Sequence, residues 1–353
     1  MLVHICCSVD SYYYIKRLRE EFPDEPMIGF FDNPNIHPEE EWLLRLEESK
    51  KSCDYFGLPF IASDYEPEEW LEATKGLESE PEKGARCLVC FNHRLEHACR
   101  QAVKLGERRI TTTLLMSPLK ELGQLGESAA HLQERYGIEF VLPDYRKGGG
   151  TQAQQKMAHE VGTYRQDYCG CLFALGMQRA KQGRPSLELM TSWVPQRQIG
   201  SIAARLEFFR KKEDGIRPRR RRMLAWRLLR GSVSIEGEVV ASYILSYSQL
   251  GHKRVAGIIE GPEDGVWYLS KGEVRFLEIE GWRRLTGRSD PDVTSLLRTP
   301  PSHQEEIDWR RHLLGSAFDL SVVVVVDRLE AGMRCSIEME SWLGEEVEWF
   351  TSL

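Results

Sequence analysis

"LVHI" (2–5) running into "CCSVD" (6–10) is the stretch from which the rest of the chain is read. A short apolar run closed by two adjacent thiols, with a carboxylate three residues on, has the texture of a buried strand that ends where ligands gather. Similar runs recur at "MIGFF" (27–31), "PFIA" (59–62), "RRITTTL" (108–114) and "IEFVL" (138–142). Between them, 12–21, 38–56, 91–105 and 118–136 carry apolar residues at helical spacing, for example Trp42, Leu43, Leu46 and Tyr55. Pro38 and the three glutamates of "NIHPEEE" suit a helix start, where the dipole favours negative charge. Strands alternating with helices predict an α/β fold, a parallel sheet with helices on both faces. Ligands then bind beyond the carboxyl ends of the strands. On that rim we expect Cys6, Cys7 and Asp10, "FDNPN" (31–35), "TTTLLMSP" (111–118) and "LPDYRKGGG" (142–150), with "YRQDYCGC" (164–171) folding back over it.

The chain has 353 residues, room for two domains. "KQGRPS" (181–186) marks a change of texture, so we expect a first domain over 1–182 and a second over 183–353. The second begins with a helical piece (195–213) and continues with β-leaning segments such as "EVVASYILSYS" (238–248) and "SVVVVVDRLE" (321–330), a β-rich α+β texture. The net charge of −7 argues against indiscriminate coating of nucleic acid. Charge is uneven, however. Between Arg205 and Arg230 stand eleven Lys/Arg against three Asp/Glu, including "RPRRRR" (217–222), while the C-terminal end is acidic. That asymmetry fits either a local nucleic-acid footprint or a solvated basic face. No apolar run is long enough to cross a bilayer and no secretory leader is evident, so we expect a cytoplasmic protein without a membrane partner.

Nine cysteines remain to be explained. Reducing compartments disfavour structural disulfides, so clustered thiols there bind metal or do redox work. Six are paired, as Cys6-Cys7, Cys87-x-x-Cys90 and Cys169-x-Cys171. Cys53, Cys99 and Cys335 stand alone and read as small buried hydrophobes. Six thiolates exceed the four that one tetrahedral zinc or one iron–sulfur cluster takes, and Asp10 makes a seventh donor. The count suits a cluster with a second metal or redox-active thiols beside it. A purely structural zinc site would not need so many thiols on the exit loops of a parallel sheet. "CLVCFNHRLEH" (87–97) puts His93 and His97 four apart, but too close to Cys90 for a zinc finger, so both read as polar helix residues. A thioredoxin-like reading of Cys87-x-x-Cys90 leaves the other paired thiols unexplained. Nucleotide-binding signatures of the Gly-x4-Gly-Lys-Ser/Thr, Gly-x-Gly-x-x-Gly and Ser-Gly-Gly-x-Asp-Ser kinds are absent, and the "GGG" at 148–150 reads as a hinge.

Taken together, "HICCSVD" (4–10), "FFDNPNIHPEEE" (30–41), "RCLVCFNHRL" (86–95), "TTTLLMSPLK" (111–120) and "YRQDYCGC" (164–171) resemble the QueH family of cobalamin-independent epoxyqueuosine reductases, over about residues 1–182. The resemblance implies a Rossmann-like, adenine-nucleotide-hydrolase-like sheet. It also implies a 4Fe–4S cluster with an adjacent mononuclear iron or other divalent metal, held among Cys6, Cys7, Cys87, Cys90, Cys169 and Cys171. Many members have a further cysteine where this chain has Asp10, which becomes a candidate ligand of the second metal. The implied reaction is reductive removal of the epoxide oxygen of epoxyqueuosine at the tRNA wobble position, with an external donor such as ferredoxin, flavodoxin or a chemical reductant. Candidate proton donors are Tyr168, Asp144 and His93. Asn33, Asn35 and Arg165 are candidates for binding the modified base or phosphate. Arg219, Arg220, Arg221 and Arg222, with Arg217 and Trp226 nearby, are candidates for gripping tRNA. Two other readings remain, a zinc-stabilised tRNA-binding module without turnover and a sulfur-transfer tRNA enzyme. The resemblance does not extend to residues 190–353.

Overall fold

The computed structural model describes residues 1–117, 122–190, 198–213, 215–271 and 273–351. Residues 118–120 of the "TTTLLMSPLK" motif and 195–197 of the helical piece expected over 195–213 lie outside them. By contacts the chain divides into two compact units, one of Met1–Leu189, Arg205–Arg219 and Trp349–Leu353, the other of Met190–Ala204 and Arg220–Glu348.

The first unit holds β1 (Leu2–Ile5), α1 (Ser8–Glu21), β2 (Ile28–Phe31), α2 (Glu39–Tyr55), β3 (Phe60–Ala62), α3 (Pro67–Ala73), α4 (Ala85–Leu105), β4 (Arg109–Thr112), α5 (Leu122–Tyr136), β5 (Glu139–Phe140), α6 (Gly150–Glu160) and α7 (Leu172–Lys181). The strands form one sheet in the order β3-β2-β1-β4-β5, every pair parallel. All four residues of β1 are buried, which is why it reads as an unbroken apolar run except for His4. His4 is stabilised there by Thr112 Oγ1, 2.8 Å from its Nδ1. Two helices start earlier than their apolar periodicity suggests. Asp10 lies in the first turn of α1, and Cys87 and Cys90 lie on α4 rather than ahead of it.

Part of the basic segment folds with this unit instead of the second. Helix α8 (Ile202–Lys211) brings Leu206 and Phe209 against Leu44 and Tyr164, with Trp349 packed on the same cluster. Arg210 pairs with Glu47 at 2.5 Å. Buried Arg205 donates to Asp167 Oδ1 at 3.2 Å and to the Tyr164 hydroxyl at 3.3 Å.

The second unit is built on β6 (Arg219–Ile235), β7 (Glu238–Val240), β8 (Ser242–Ile244), β9 (Arg254–Glu263), β10 (Val266–Leu269), β11 (Val274–Glu278), β12 (Val322–Val326) and β13 (Arg334–Phe350), with helices α9 (Ile279–Thr286), α10 (Val293–Arg298) and α11 (His303–Leu314). Strand order is β7-β6-β13-β9-β10-β11-β12-β8. The β-leaning stretch 238–248 holds two strands. Its halves, β7 and β8, occupy the two ends of that order with only Ala241 between them. One residue spans only a few ångströms, so the sheet must curl until its ends meet, giving a barrel-like mixed sheet. The five valines of β12 are all buried: Val322, Val324 and Val326 enter one apolar core, and Val323 and Val325 enter another with Trp282 and Leu296. A strand covered on both faces has no polar positions. Among the described residues, no helix is long and apolar enough to cross a membrane.

Candidate active site

Strand β1 stops at Ile5, and the chain turns through Cys6 and Cys7 into α1, with Cys7 in extended conformation at the N-cap. One helical turn then carries Asp10 back onto both thiols. Cys7 Sγ donates to Asp10 Oδ2 at 2.9 Å, Cys6 Sγ stands 3.3 Å from the same oxygen, and the two sulfurs are 3.6 Å apart. Cys6 is fixed by the exit of β4: its N–H donates to Thr113 Oγ1 at 2.9 Å, and that hydroxyl donates to Cys6 Sγ at 3.2 Å. Gln154 of α6 donates to Asp10 Oδ1. One ligand atom from each of Cys6, Cys7 and Asp10 lies within 4.8 Å of the others, the geometry of a three-donor metal site. The hydrogen bond from Cys7 lowers the Cys6 thiol to about 5 against the burial that opposes it, helped by the Arg94 charge. Cys7, as the donor, is pushed up, and burial then the Cys6 charge push Asp10 well above the usual carboxylate range.

These three residues line a cavity of about 320 Å³, and the other four paired thiols line it too. Cys87 and Cys90 are one turn apart near the start of α4, and the Lys83 N–H donates to Cys87 Sγ at 3.2 Å. Cys169 and Cys171 flank Gly170, whose φ of +107° belongs to glycine; a Cβ there would stand 2.8 Å from Ile36 Cγ1. The glycine lets the Cys-x-Cys turn press against the β2 exit, where its carbonyl accepts the His37 N–H at 2.9 Å. Cys90 and Cys171 pack with buried Trp70, and Cys169 packs against them.

Three buried arginines complete the lining. Arg45 is ion-paired to Glu41 at 2.8 Å and donates to the carbonyls of Tyr168 and Cys169 at 3.1 and 3.2 Å. Arg86 donates to the carbonyls of Leu77 and Glu78 at 3.2 and 2.8 Å, leaving Nε and Nη2 without a hydrogen-bond partner among the described residues. Arg94 donates to Asn33 Oδ1, and its Nε is similarly unpartnered.

Of the other candidates, Asn33, Asn35, Arg165 and Tyr168 also line the cavity. Asn33 is tied to the Ile5 carbonyl at 2.9 Å, whereas buried Asn35 has an Oδ1 without a partner among the described residues. Tyr168 donates its hydroxyl proton to the His37 carbonyl beneath the Arg45 guanidinium, and burial pushes its pKa well up. Asp144 and His93 are not among the lining residues. Asp144 instead accepts from the Arg146 N–H at 3.2 Å and faces Lys147 at 3.4 Å, because the segment leaving β5 turns away before α6 returns with Gln154. Arg219, Arg220, Arg221 and Arg222 are exposed at the start of β6, but Trp226 is buried and donates to the Ser248 carbonyl at 3.0 Å, so it offers no stacking surface. Cys53, Cys99 and Cys335 are buried away from the cavity, their thiols pushed up by burial to about 12, 12 and 11. Sequence reasoning missed Arg45, Trp70, Arg86, Arg94 and Gln154. The signal was present for two, since Arg86 and Arg94 flank the Cys-x-x-Cys of "RCLVCFNHRL".

The family model described as epoxyqueuosine reductase QueH matches residues 1–177. An epoxyqueuosine reductase QueH of Helicobacter pylori is 35% identical across 99% of this chain and 100% of its own length. The chain belongs to the QueH family. It is thus an oxidoreductase, an epoxyqueuosine reductase. QueH proteins of Thermotoga maritima and Histophilus somni match less of it, at 36% identity over 53% of this chain and 95% of theirs, and 35% over 54% and 79%. The family match over residues 1–177 takes in all six paired thiols and Asp10, and the Helicobacter protein matches nearly the whole chain.

Proposed function

We propose that the cavity is where the epoxide of epoxyqueuosine in tRNA is reduced. In this reading Cys87, Cys90, Cys169 and Cys171 hold a 4Fe–4S cluster, and Cys6, Cys7 and Asp10 hold a mononuclear iron beside it. The observation that carries it is the convergence of six thiols and Asp10 on one cavity whose lining includes two buried guanidiniums, Arg86 and Arg94, that keep N–H groups without a partner among the described residues. The donor set fits. Four thiols satisfy a cluster, and two thiols with a carboxylate leave an open position on a second ion. A thiolate-bound cluster is anionic, which answers the buried positive charge of Arg86 and Arg94.

When bound, these groups supply single electrons and a Lewis acid for the epoxide oxygen. The balance is epoxide plus two electrons and two protons to alkene plus water, with the electrons arriving from an external donor such as ferredoxin or flavodoxin. The chain's own residues orient and protonate. Asn35 Oδ1 accepts from a donor on the modified base. Gln154 and the two thiols hold Asp10 in place. Tyr168, kept protonated by burial, gives its phenolic proton to the oxygen after leaving the His37 carbonyl. Arg165 at the exposed edge meets a phosphate of the anticodon loop, and Arg219–Arg222 contact the tRNA backbone. A tRNA substrate places the enzyme in the cytoplasm.

The test is anaerobic preparation of the full chain, iron analysis, and assay on epoxyqueuosine-bearing tRNA with a chemical reductant, read by nucleoside mass spectrometry. We expect a brown protein that forms queuosine. Asp10→Ala should retain four irons, lose the fifth, and slow conversion by about a hundredfold or more, as loss of several kcal/mol of Lewis-acid stabilisation implies. A colourless zinc protein that leaves epoxyqueuosine intact overturns the reading.

A further inference from the structure

We propose that Glu69, His93 and His97 form a second metal site, for a zinc ion, outside the thiol cavity. None of the three lines that cavity. Helix α4 carries His93 and His97 four residues apart on one face, their ring centroids 4.3 Å apart, and α3 brings Glu69 alongside. One ligand atom from each of the three lies within 4.8 Å of the others. His97 Nε2 stands 3.4 Å from Glu69 Oε2. Around a tetrahedral zinc with bonds of about 2.1 Å, two ligand atoms are separated by about 3.4 Å, so one edge of the polyhedron already has its length.

Two further observations point to an ion rather than to a surface ion pair. His93 Nε2 is buried and has no hydrogen-bond partner among the described residues. The other nitrogen of His97 lies 3.1 Å from Oδ2 of buried Asp32, whose Oδ1 accepts from Ser63 Oγ at 2.7 Å. A ligating histidine is commonly oriented by a carboxylate on its second nitrogen in this way. Two imidazoles and one carboxylate, with no thiolate, favour zinc and leave a fourth position for water, which the exposed side of Glu69 makes accessible.

The site joins α3, α4 and the exit of β2. Glu69 immediately precedes Trp70, which lines the thiol cavity and packs on Cys90 and Cys171. Zinc at this position acts as a clip that fixes the helix carrying that tryptophan.

The test uses the full chain with its iron in place, titrated with Zn²⁺ against a chromophoric chelator and, separately, with Co²⁺. We expect one equivalent of zinc, and a cobalt spectrum with d–d bands but no thiolate charge-transfer band. His93→Ala and Glu69→Gln should each abolish that equivalent without changing iron content, and Asp32→Asn should weaken it by about 10- to 100-fold. Glu69 is exposed, so Glu69→Gln spares the fold and decides the matter if His93→Ala does not fold. Undiminished zinc binding in Glu69→Gln, or a thiolate signature for the cobalt, overturns the proposal.

Discussion

Two buried arginines beside the thiol cavity and the exposed arginines of β6 differ in what neutralises them. On the second unit, Arg221, Arg222 and Arg230 lie along β6 and reach Glu348, Glu345 and Glu340 on neighbouring β13, the last two at 3.2 Å. These are exposed cross-strand pairs, each worth no more than about 1 kcal/mol. In the first unit, Arg86 and Arg94 are buried, and among the described residues neither has a carboxylate within ion-pair distance. A buried charge without a counter-charge is costly, and at Arg86 and Arg94 the proposed anionic cluster would supply one, whereas buried Arg310 of the second unit is satisfied by the carbonyls of Ser246, Asp319 and Ser321 and the Ser248 hydroxyl. Two of the four arginines of the conspicuous run, Arg221 and Arg222, are thus balanced by carboxylates of the strand beside them. The two isolated arginines beside the Cys-x-x-Cys mark the site.

The two regions also contain buried cysteines of opposite meaning, and this gives the largest expected effect. Cys169→Ala should abolish conversion of epoxyqueuosine tRNA and the iron–sulfur absorbance together. Cys335→Ala, which removes a thiol of the second unit's core, should leave both intact and cost only folding stability, about 1 kcal/mol. Equal loss of iron in the two variants would break the distinction between ligand thiols and packing thiols.

Next in size is the electrostatic contrast itself. Arg94→Gln keeps a donor for Asn33 but removes positive charge from the cavity wall, whereas Arg230→Gln removes one from an exposed pair. Because nearby positive charge favours the reduced, more negative form of a cluster, Arg94→Gln should lower its reduction potential and slow conversion. Arg230→Gln should change neither. Anaerobic spectroelectrochemical titration reads the difference, and an unshifted potential in Arg94→Gln would remove the counter-charge role.

How much of this was legible in the sequence follows from the same contrast. The parallel sheet was, because β1 and β2 are covered on both faces and leave runs of apolar residues. So was the placing of "CC" at a strand exit with "CGC" folding back over it, since each follows an apolar or helical signal, whereas "CLVC" was joined to them only through the family resemblance. The helix starts were hidden by the site. In α1 the first turn holds Ser8, Asp10 and Ser11, polar yet buried, and α4 opens with buried Arg86. Polar residues facing a cavity break the apolar period that reveals a helix. The partner of "RRRR" was hidden for a different reason. Pairing across more than a hundred residues leaves no local pattern, so the acidic end of β13 and the basic start of β6 look like two separate tails.

That pairing yields the smallest expected effect and the finest test of the comparison. If Arg219–Arg222 contact the tRNA backbone, Glu345 and Glu348 compete with phosphate for Arg222 and Arg221. Substituting the arginines with glutamine should weaken tRNA binding and flatten its salt dependence, since each phosphate contact adds slightly less than one to the slope of log affinity against log salt. Glu345→Gln with Glu348→Gln should do the reverse, tightening binding by a few-fold at low salt, because exposed pairs cost little to break and the freed guanidiniums gain a stronger acceptor. Neither set should alter iron content or the unfolding midpoint appreciably. Filter binding across a salt series measures both variants together. Opposite shifts would show arginines exchanging partners, and unchanged affinity in both would mean that β6 and β13 simply hold each other.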